Sequence, residues 1–383
     1  MRVFIIAGEP SGDRLGGALM AGLKSLHPDI QFDGIGGSDM AAEGLQSRFD
    51  MSELSVMGIA EILPKYRALM ARINEMAQAV IDSVPDVMIT IDSPDFSLRV
   101  AKRVKAASDI RTVHYVAPTV WAWRAGRAAK MARYVDHVLA LFPFEPPLMQ
   151  AAGMACDFVG HPVVAETQAT AQEALAFRQA HGITDSPVLL VLPGSRRAEV
   201  ARLGPVFGDV VAQMTATRPD LRVVIPAAGP VASEVRAMAA GWAGKPIVLD
   251  PTEMDRDAAL SLKRAAFRAA DVALAASGTV SLELAAAQTP MVIAYKMNGL
   301  SFRIMRAMAL IDTVTLVNIV SDTRVVPEFL GPACQPGPIA DALASVLENP
   351  SAQEAAMALT IERLGHGGEA PGLRAARAVL ARL

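Results

Sequence analysis

The 383-residue sequence predicts an α/β fold of two Rossmann-like domains facing across a cleft. Three observations predict it. Short apolar, β-branched runs recur along the chain, each ending in a loop of small residues and followed by helically spaced apolar positions, as parallel strands joined by crossover helices require. The pattern stops near Pro162 and then restarts. The length also exceeds what one core usually serves, so the expected organisation is 1–162, 163–350, and terminal helices over 351–383 that cross back to the first domain.

Composition excludes several classes. Lys plus Arg number 36 against 39 for Asp plus Glu, a net charge of −3 that offers nothing to nucleic acid. Cys156 and Cys334 are the only cysteines and lack metal-ligand spacing, which speaks for a reducing compartment and against a disulfide framework or zinc site. Met-Arg-Val-Phe-Ile-Ile-Ala at the start runs straight into Gly8-Glu9 without the features of an export signal. Mean hydropathy is high at +0.31, yet charges or prolines interrupt every apolar run before it could span a bilayer. The expectation is a protein that is soluble or bound to a membrane surface.

In the first half, Arg2 to Ala7 reads as a strand, followed by Gly8-Glu9-Pro10-Ser11-Gly12-Asp13 and a helix through Leu15, Leu19, Leu23 and Leu26. The loop has neither the Lys-Ser/Thr of a P-loop nor the dinucleotide glycine spacing. Its small residues, like Gly34-Ile35-Gly36-Gly37, suit either a backbone contact with ligand or close helix-on-sheet packing. Residues 51–82 read as mostly helical with a break near Pro64. Within them Ile59 to Met76 is amphipathic, fitting a core helix with a solvated back or a helix lying on a membrane. Pro85 to Ile91 is a buried strand, and Asp92-Ser93-Pro94-Asp95-Phe96 stands at its carboxyl end, where open parallel sheets bind ligands. One of the two aspartates is expected to cap the following helix. Asp95 is nearer that helix, which leaves Asp92 as the freer carboxylate and a candidate general base. Strand Arg111 to Val116 carries His114 as an expected core residue and leads to a loop with Trp121 and Trp123. Arg124, Arg127, Lys130 and Arg133 then form a basic face.

In the second half, strands are expected at Val188–Leu192, Leu221–Ile225, Ile247–Leu249, Val272–Ala275 and Met291–Tyr295. Gly194-Ser195 exposes backbone donors, and Arg196 adds a cation able to grip phosphate. Asp271 to Ala276 followed by Ser277-Gly278-Thr279 reads as strand, turn and helix start, a place where unpaired N–H groups and small residues admit an anion. Glu283 in the first turns of that helix suits ribose hydroxyls; the bland reading is a well-capped helix with an acidic first turn. Asn318 sits in the apolar run Leu316 to Val320, so its amide either ties a loop together or meets ligand. Asp255-Arg256-Asp257 reads as a solvated acidic stretch, and no metal site or cofactor is expected. Two such halves describe the GT-B architecture of nucleotide-sugar glycosyltransferases.

The motifs Ala7 to Asp13, Val56-Met57-Gly58, Ile91 to Phe96, His114 to Pro118, Trp121 to Arg124, Phe158 to Pro162, Leu192 to Arg196 and Ala276 to Thr279 together resemble the lipid-A-disaccharide synthase family, in order over nearly the whole chain. A small departure is Gly331 after Val326-Pro327-Glu328-Phe329-Leu330, where the family often has Gln. The resemblance implies an inverting transferase that joins the donor UDP-2,3-diacylglucosamine to the acceptor 2,3-diacylglucosamine 1-phosphate (lipid X). The products are a β-1,6 disaccharide and UDP, made at the cytoplasmic face of an inner membrane to which the enzyme is peripherally attached. It implies Asp92 as the base for the acceptor 6-hydroxyl. Gly194, Ser195, Arg196, Ser277, Gly278 and Thr279 would stabilise the leaving UDP, Glu283 would hold its ribose, Asn318 would lie near the donor, and Glu9 and Ser11 would face the acceptor. Acylated substrates also favour membrane contact for Ile59 to Met76. Oligomeric state is not set by any of these motifs. Other readings are a soluble UDP-N-acetylglucosamine epimerase and a non-catalytic nucleotide- or lipid-binding module.

Overall fold

The computed structural model describes residues 1–54, 59–124 and 126–383, with side chains at 59–66, 300 and 301 left undescribed. Val56-Met57-Gly58 and the side chains that open the amphipathic segment therefore lie outside the described residues. The chain divides into two compact units, Met1–Ala165 with Leu364–Leu383, and Glu166–Arg363. The expected terminal segment 351–383 thus divides at Leu364: helix Ser351–Arg363 belongs to the second unit and helix Pro371–Leu380 to the first.

The first unit holds β1 (Arg2–Ala7), β2 (Gln31–Ile35), β3 (Val87–Ile91), β4 (Arg111–Tyr115), β5 (His137–Ala140) and β6 (Ala155–Phe158). All are parallel in the order β2-β1-β3-β4-β5-β6. Strand β3 is buried along its whole length because crossover helices cover both faces of the sheet, which is why its sequence is continuously apolar rather than alternating. On one face Phe4, Ile6 and Met88 pack with Ile73, Met76, Ala77 and Val80 of helix Ile59–Ser83 and with Val100 and Val104 of helix Pro94–Ala107. Helix Ile59–Ser83 runs through Pro64, where a break was expected. Pro64 lies in its second turn, so the missing N–H removes only one interior bond. Ile73 and Met76 are fully buried in the core and Arg72 pairs with Glu53 and Glu75, so this end of the segment is a core helix with a solvated back.

Chain return closes the first unit. A Cβ on Gly22 of helix Pro10–Leu26 would lie 2.7 Å from the Gly372 carbonyl oxygen, so the first and last helices meet backbone to backbone. Arg382 donates to both carboxylate oxygens of Asp157, which also contacts His137 Nε2 at 2.8 Å, and the His161 N–H donates to the Leu364 carbonyl at 3.1 Å. Burial holds the His137 imidazole down to about 4, so it is neutral. After β5, Glu145 is buried and accepts from Trp121 Nε1 at 3.1 Å and from the Leu141 and Phe142 N–H groups at 3.1 and 3.0 Å. Trp121 stands edge-on to Phe142 and Phe144. It is a packing element of this loop.

The second unit holds β7 (Val188–Leu192), β8 (Arg222–Pro226), β9 (Ile247–Leu249), β10 (Val272–Ala276), β11 (Met291–Tyr295) and β12 (Glu328–Leu330), all parallel, in the order β12-β11-β10-β7-β8-β9. Successive side chains on a strand point to opposite faces. Leu189 and Val191 accordingly join the core beneath helices Arg197–Thr217 and Pro336–Glu348, while Val188, Leu190 and Leu192 join the one beneath Ala171–Ala180 and Arg256–Ala269.

Two outcomes follow for the first unit. Gly34 has φ +139° and a Cβ there would overlap the Ile5 carbonyl oxygen, so Gly34→Ala should destabilise by more than about 2 kcal/mol, read as a lower urea midpoint. Burial pushes the Glu145 carboxyl up to about 7 against the pull of its N–H donors. A raised folded value means the stability from this group is full below the ordinary glutamate range and is lost as pH rises through about 7. The buried histidines pull the other way in both proteins, so the reading is the difference: the urea midpoint of Glu145→Gln relative to wild type should rise as pH goes from about 4.5 to about 7 and stay level above that.

Candidate functional site

In a parallel sheet, a crevice opens at the carboxyl edge where two neighbouring strands send their crossovers to opposite faces. In the first sheet that point lies between β1 and β3, whose ends pair as Ala7↔Ile91. The residues beyond them are Gly8-Glu9 and Asp92-Ser93. A Cβ on Gly8 would sit 2.7 Å from Ser93 Oγ, so the two loops touch. Glu9 is half-buried at their edge and Ser11 is exposed in the first turn of helix Pro10–Leu26.

Asp92 and Ser93 both have left-handed backbones, φ +47° and +44°, and the end of neighbouring β4 carries Val116 at φ +82°. Such conformations cost roughly 1–3 kcal/mol each in residues with a Cβ and persist only where the surroundings enforce them. Here Asp92 N–H donates to the Tyr115 carbonyl and Val116 N–H to the Leu139 carbonyl, both at 3.0 Å, so the ladder itself holds the bend. The bend leaves Asp92 half-buried, and burial lifts its carboxyl above the usual aspartate range despite the Ser93 N–H that favours the ion. Asp95 is exposed in the first turn of helix Pro94–Ala107. The N-cap is Ser93 and no side chain caps it, so neither aspartate takes the capping role expected of one of them. The left-handed turn starts the helix at Pro94 and places both carboxylates off the cap position.

Neighbouring motif residues are occupied structurally. Asp13 is buried and accepts from the Gly37, Asp39 and Met40 N–H groups at 2.7, 2.9 and 3.1 Å, while Gly36 N–H goes to Ser47 Oγ. The donors of Gly36-Gly37 are thus spent within the fold. His114 is buried, with Nδ1 2.8 Å from Thr90 Oγ1, and burial lowers it to about 4.

In the second sheet the switch point lies between β7 and β10, paired as Ala275↔Leu192. A cavity of about 450 Å³ opens there, and it gathers Gly194, Ser195 and Arg196 from the loop after β7 with Ser277, Gly278, Thr279 and Glu283 from the turn and helix after β10. A Cβ on Gly278 would meet nothing within 4 Å, so this turn is open to the cavity. Helix Val280–Ala287 begins directly beyond it, turning its amino-terminal dipole toward the same space. A second hollow of about 470 Å³ adjoins, lined by Pro226, Ala228, Leu249, Pro251, Met254 and Leu260 among others, and the two share Pro226, Ala227, Ala228 and Lys263.

Two charged residues of the cavity were not singled out from sequence. Lys263 of helix Arg256–Ala269 ion-pairs with Glu283 at 2.5 Å and lies over the Phe267 ring. Glu199 accepts the Ser195 N–H at 3.1 Å, stands 3.7 Å from Arg196, and crowds Gly194, whose φ of +116° suits only glycine. In the structure this carboxylate occupies a backbone donor that the sequence offered to phosphate. Glu199 three residues after Arg196, the residue before its helix, had a readable signal as a first-turn acid; Lys263, in the run Arg256 to Arg268, had none. Asn318 is the exception among the expected donor residues. It is 1% exposed and lies outside the cavity lining, with its amide donating to Thr313 Oγ1 and the Val326 carbonyl and accepting the Val326 N–H at 3.0 Å. The amide ties the loop before β12, one of the two roles its sequence setting allowed. Asp255 Oδ1 caps helix Arg256–Ala269 at Ala258 N–H. Among the described residues no group of three or more His, Cys, Asp or Glu is placed to hold a metal ion.

The family model described as lipid-A-disaccharide synthetase matches residues 3–375. The lipid-A-disaccharide synthase of Ruegeria pomeroyi is 65% identical over 383 residues, spanning 100% of this chain and 96% of that protein. That of Rhodospirillum centenum is 45% identical over 386 residues, spanning 99% and 94%. Among solved structures, the UDP-GlcNAc 2-epimerase of Neisseria meningitidis bound to UDP-GlcNAc superposes with a TM-score of 0.63 at 13% identity, covering 100% of this chain and 99% of that one. A putative UDP-N-acetylglucosamine 2-epimerase of Listeria monocytogenes gives 0.63 at 14% identity, covering 99% and 95%. At these identities the structural likeness establishes the fold alone, an α/β fold of the GT-B class. The match over nearly the whole sequence, with relatives at 65% and 45% identity, shows that the chain belongs to the lipid-A-disaccharide synthase family of glycosyltransferases.

Proposed function

We propose that the chain transfers 2,3-diacylglucosamine from UDP to the 6-hydroxyl of 2,3-diacylglucosamine 1-phosphate, giving the β-1,6 disaccharide 1-phosphate and UDP. The carrying observation is the cavity at the second switch point, where small loop residues, a helix start, Arg196 and Lys263 surround one space that also contains Glu283. A diphosphate suits the loop at 194–196 and the turn at 277–279, where N–H groups and cations can stabilise the charge that develops on the leaving group. Glu283 suits the ribose hydroxyls, and the adjoining apolar hollow suits the flat base. On nucleotide entry the Ser195 N–H would exchange Glu199 for a phosphate oxygen, since the two acceptors compete for one donor.

Inversion at the anomeric carbon needs a base for the attacking hydroxyl. Asp92 has the required chemistry: a half-buried carboxylate at a ligand edge, held in a strained turn, with a proton affinity raised by burial. Glu9 and Ser11, on the adjoining loop, are proposed acceptor contacts. Domain organisation and working location go with this reading: an acceptor-binding first unit, a donor-binding second unit, and peripheral attachment to the cytoplasmic face of an inner membrane. Among the described residues no helix is long and apolar enough to cross a membrane.

Purified protein given both acylated sugars should release UDP and disaccharide in equal amounts. Conversion of unacylated UDP-N-acetylglucosamine to an isomeric UDP-sugar without acceptor would instead favour epimerase-type chemistry. Asp92→Asn should lower turnover by about 10²–10⁴-fold with UDP affinity within about twofold of wild type. The acid limb of the kcat/KM profile should lie above the ordinary aspartate range, because activity requires the ionised form and is lost as pH falls through the raised value. That limb should vanish in Asp92→Asn, and near-normal turnover would remove the residue from this role. Glu283→Gln should lower the ratio of UDP to pyrophosphate affinity by roughly tenfold, the worth of one or two hydrogen bonds, while pyrophosphate, relieved of a competitor for Lys263, binds at least as well as to wild type; calorimetry with both ligands checks it.

A further inference from the structure

Large apolar side chains exposed to solvent are concentrated in one stretch of the second unit. Ile304, Met305, Met308 and Leu310 are 51%, 55%, 41% and 62% exposed, and every residue from Arg303 to Leu310 is exposed. Helix Gly299–Met308 leaves the carboxyl end of β11 and is anchored at Phe302, whose ring fills the space a Cβ on Gly331 would need. Ile304 and Met308 are four residues apart and Met305 lies beside them, so the three share one face. Arg303 and Arg306, three apart, share another, and exposed Lys296 precedes the helix. No acidic residue stands between Glu283 and Asp312.

A convex helix that turns its apolar side outward and carries only cations beside it has a definite complement. An anionic lipid surface supplies acyl chains for the apolar side and phosphates for the arginines. A second copy of the chain fits less well, because two-fold pairing of this helix would bring its arginines together with no carboxylate on the segment to match them. We propose that helix Gly299–Met308 and Leu310 form a membrane-docking surface, with Ile304, Met305, Met308 and Leu310 entering the acyl boundary of an anionic bilayer and Arg303 and Arg306 on its phosphates. Strand β11 neighbours β10, so the helix rises from the same sheet edge as the cavity at Ser277. That placement would hold the cavity edge at the level of an acylated donor, and in this respect alone the inference rests on the proposed function. It assigns lipid contact to a different element from Ile59 to Met76.

The test is co-sedimentation of the full chain with vesicles of phosphatidylethanolamine and phosphatidylglycerol, and with phosphatidylcholine vesicles, alongside UDP affinity as the check on folding. Wild type should bind the anionic vesicles. The variant Ile304→Ser/Met305→Ser/Met308→Ser/Leu310→Ser should lose roughly tenfold or more of that binding, and Arg303→Gln/Arg306→Gln a similar factor that added salt reproduces in wild type. Both variants should keep wild-type UDP affinity and wild-type transfer on detergent-dispersed substrates. Absence of wild-type binding, or wild-type binding by the variants, would overturn the proposal. So would a shift from oligomer to monomer with vesicle binding intact, which would make the occupant a second copy. Should the apolar variant fail to fold, the arginine variant decides alone. Vesicle binding without any UDP release would reject the transferase reading and leave the docking surface standing.

Discussion

The candidate residues of each unit depend on one property of parallel sheets. Where adjacent strands send their crossovers to opposite faces, no helix can cover the carboxyl edge between them, and the backbone there stays open. In the first sheet that gap lies between β1 and β3 and carries the loops of Glu9 and Asp92; in the second it lies between β7 and β10 and carries Ser195 and Ser277. The continuous apolar burial of the central strands fixes the sheet beneath each gap. Site residues can therefore be small, polar or strained without weakening the core.

Strain and pairing at these edges are supplied from within the fold. Asp92 and Val116 are kept left-handed by ladder hydrogen bonds to the strands next to them, and the Ser93 carbonyl accepts from Phe96 and Ser97 at the helix start. In the cavity of the second unit the charges arrive in opposed pairs, Arg196 with Glu199 and Lys263 with Glu283. Partly exposed pairs of this kind add little stability, so their interest lies in exchange. An incoming anion competes with Glu199 for Ser195 N–H and with Glu283 for Lys263. The site is thus held in shape by groups that resemble what it would bind.

Sequence reading reached the strands that are buried on both faces, because their β-branched runs are long and their loops carry small residues. It passed over β2, β6 and β12, whose apolar runs are interrupted by Asp33, Asp157 and Glu328. Those strands exist because a neighbour offers them a ladder. The break expected at Pro64 did not occur: the helix forgoes one bond there and continues to Ser83, where Ile73, Met76, Ala77 and Val80 hold it on the sheet. The cap expected of Asp92 or Asp95 failed because two left-handed residues moved the helix start. Asn318 shows the limit most clearly: its buried amide required partners, and only the path of the chain from Thr313 to Val326 supplied them, as the Thr313 hydroxyl and the Val326 backbone.

By itself the sequence determined the fold class, the family and the small-residue loops that line the cavity of the second unit, because local spacing and motif order survive in one dimension. Only the tertiary structure decided that Glu199 and Lys263 share the cavity, that Ile73 and Met76 are core while Ile304 and Met308 are exposed, and that the last helix belongs to the first unit. Each of these is a contact, or the lack of one, between segments far apart in the chain. Apolar spacing states that a helix has a face and leaves open what, if anything, covers it.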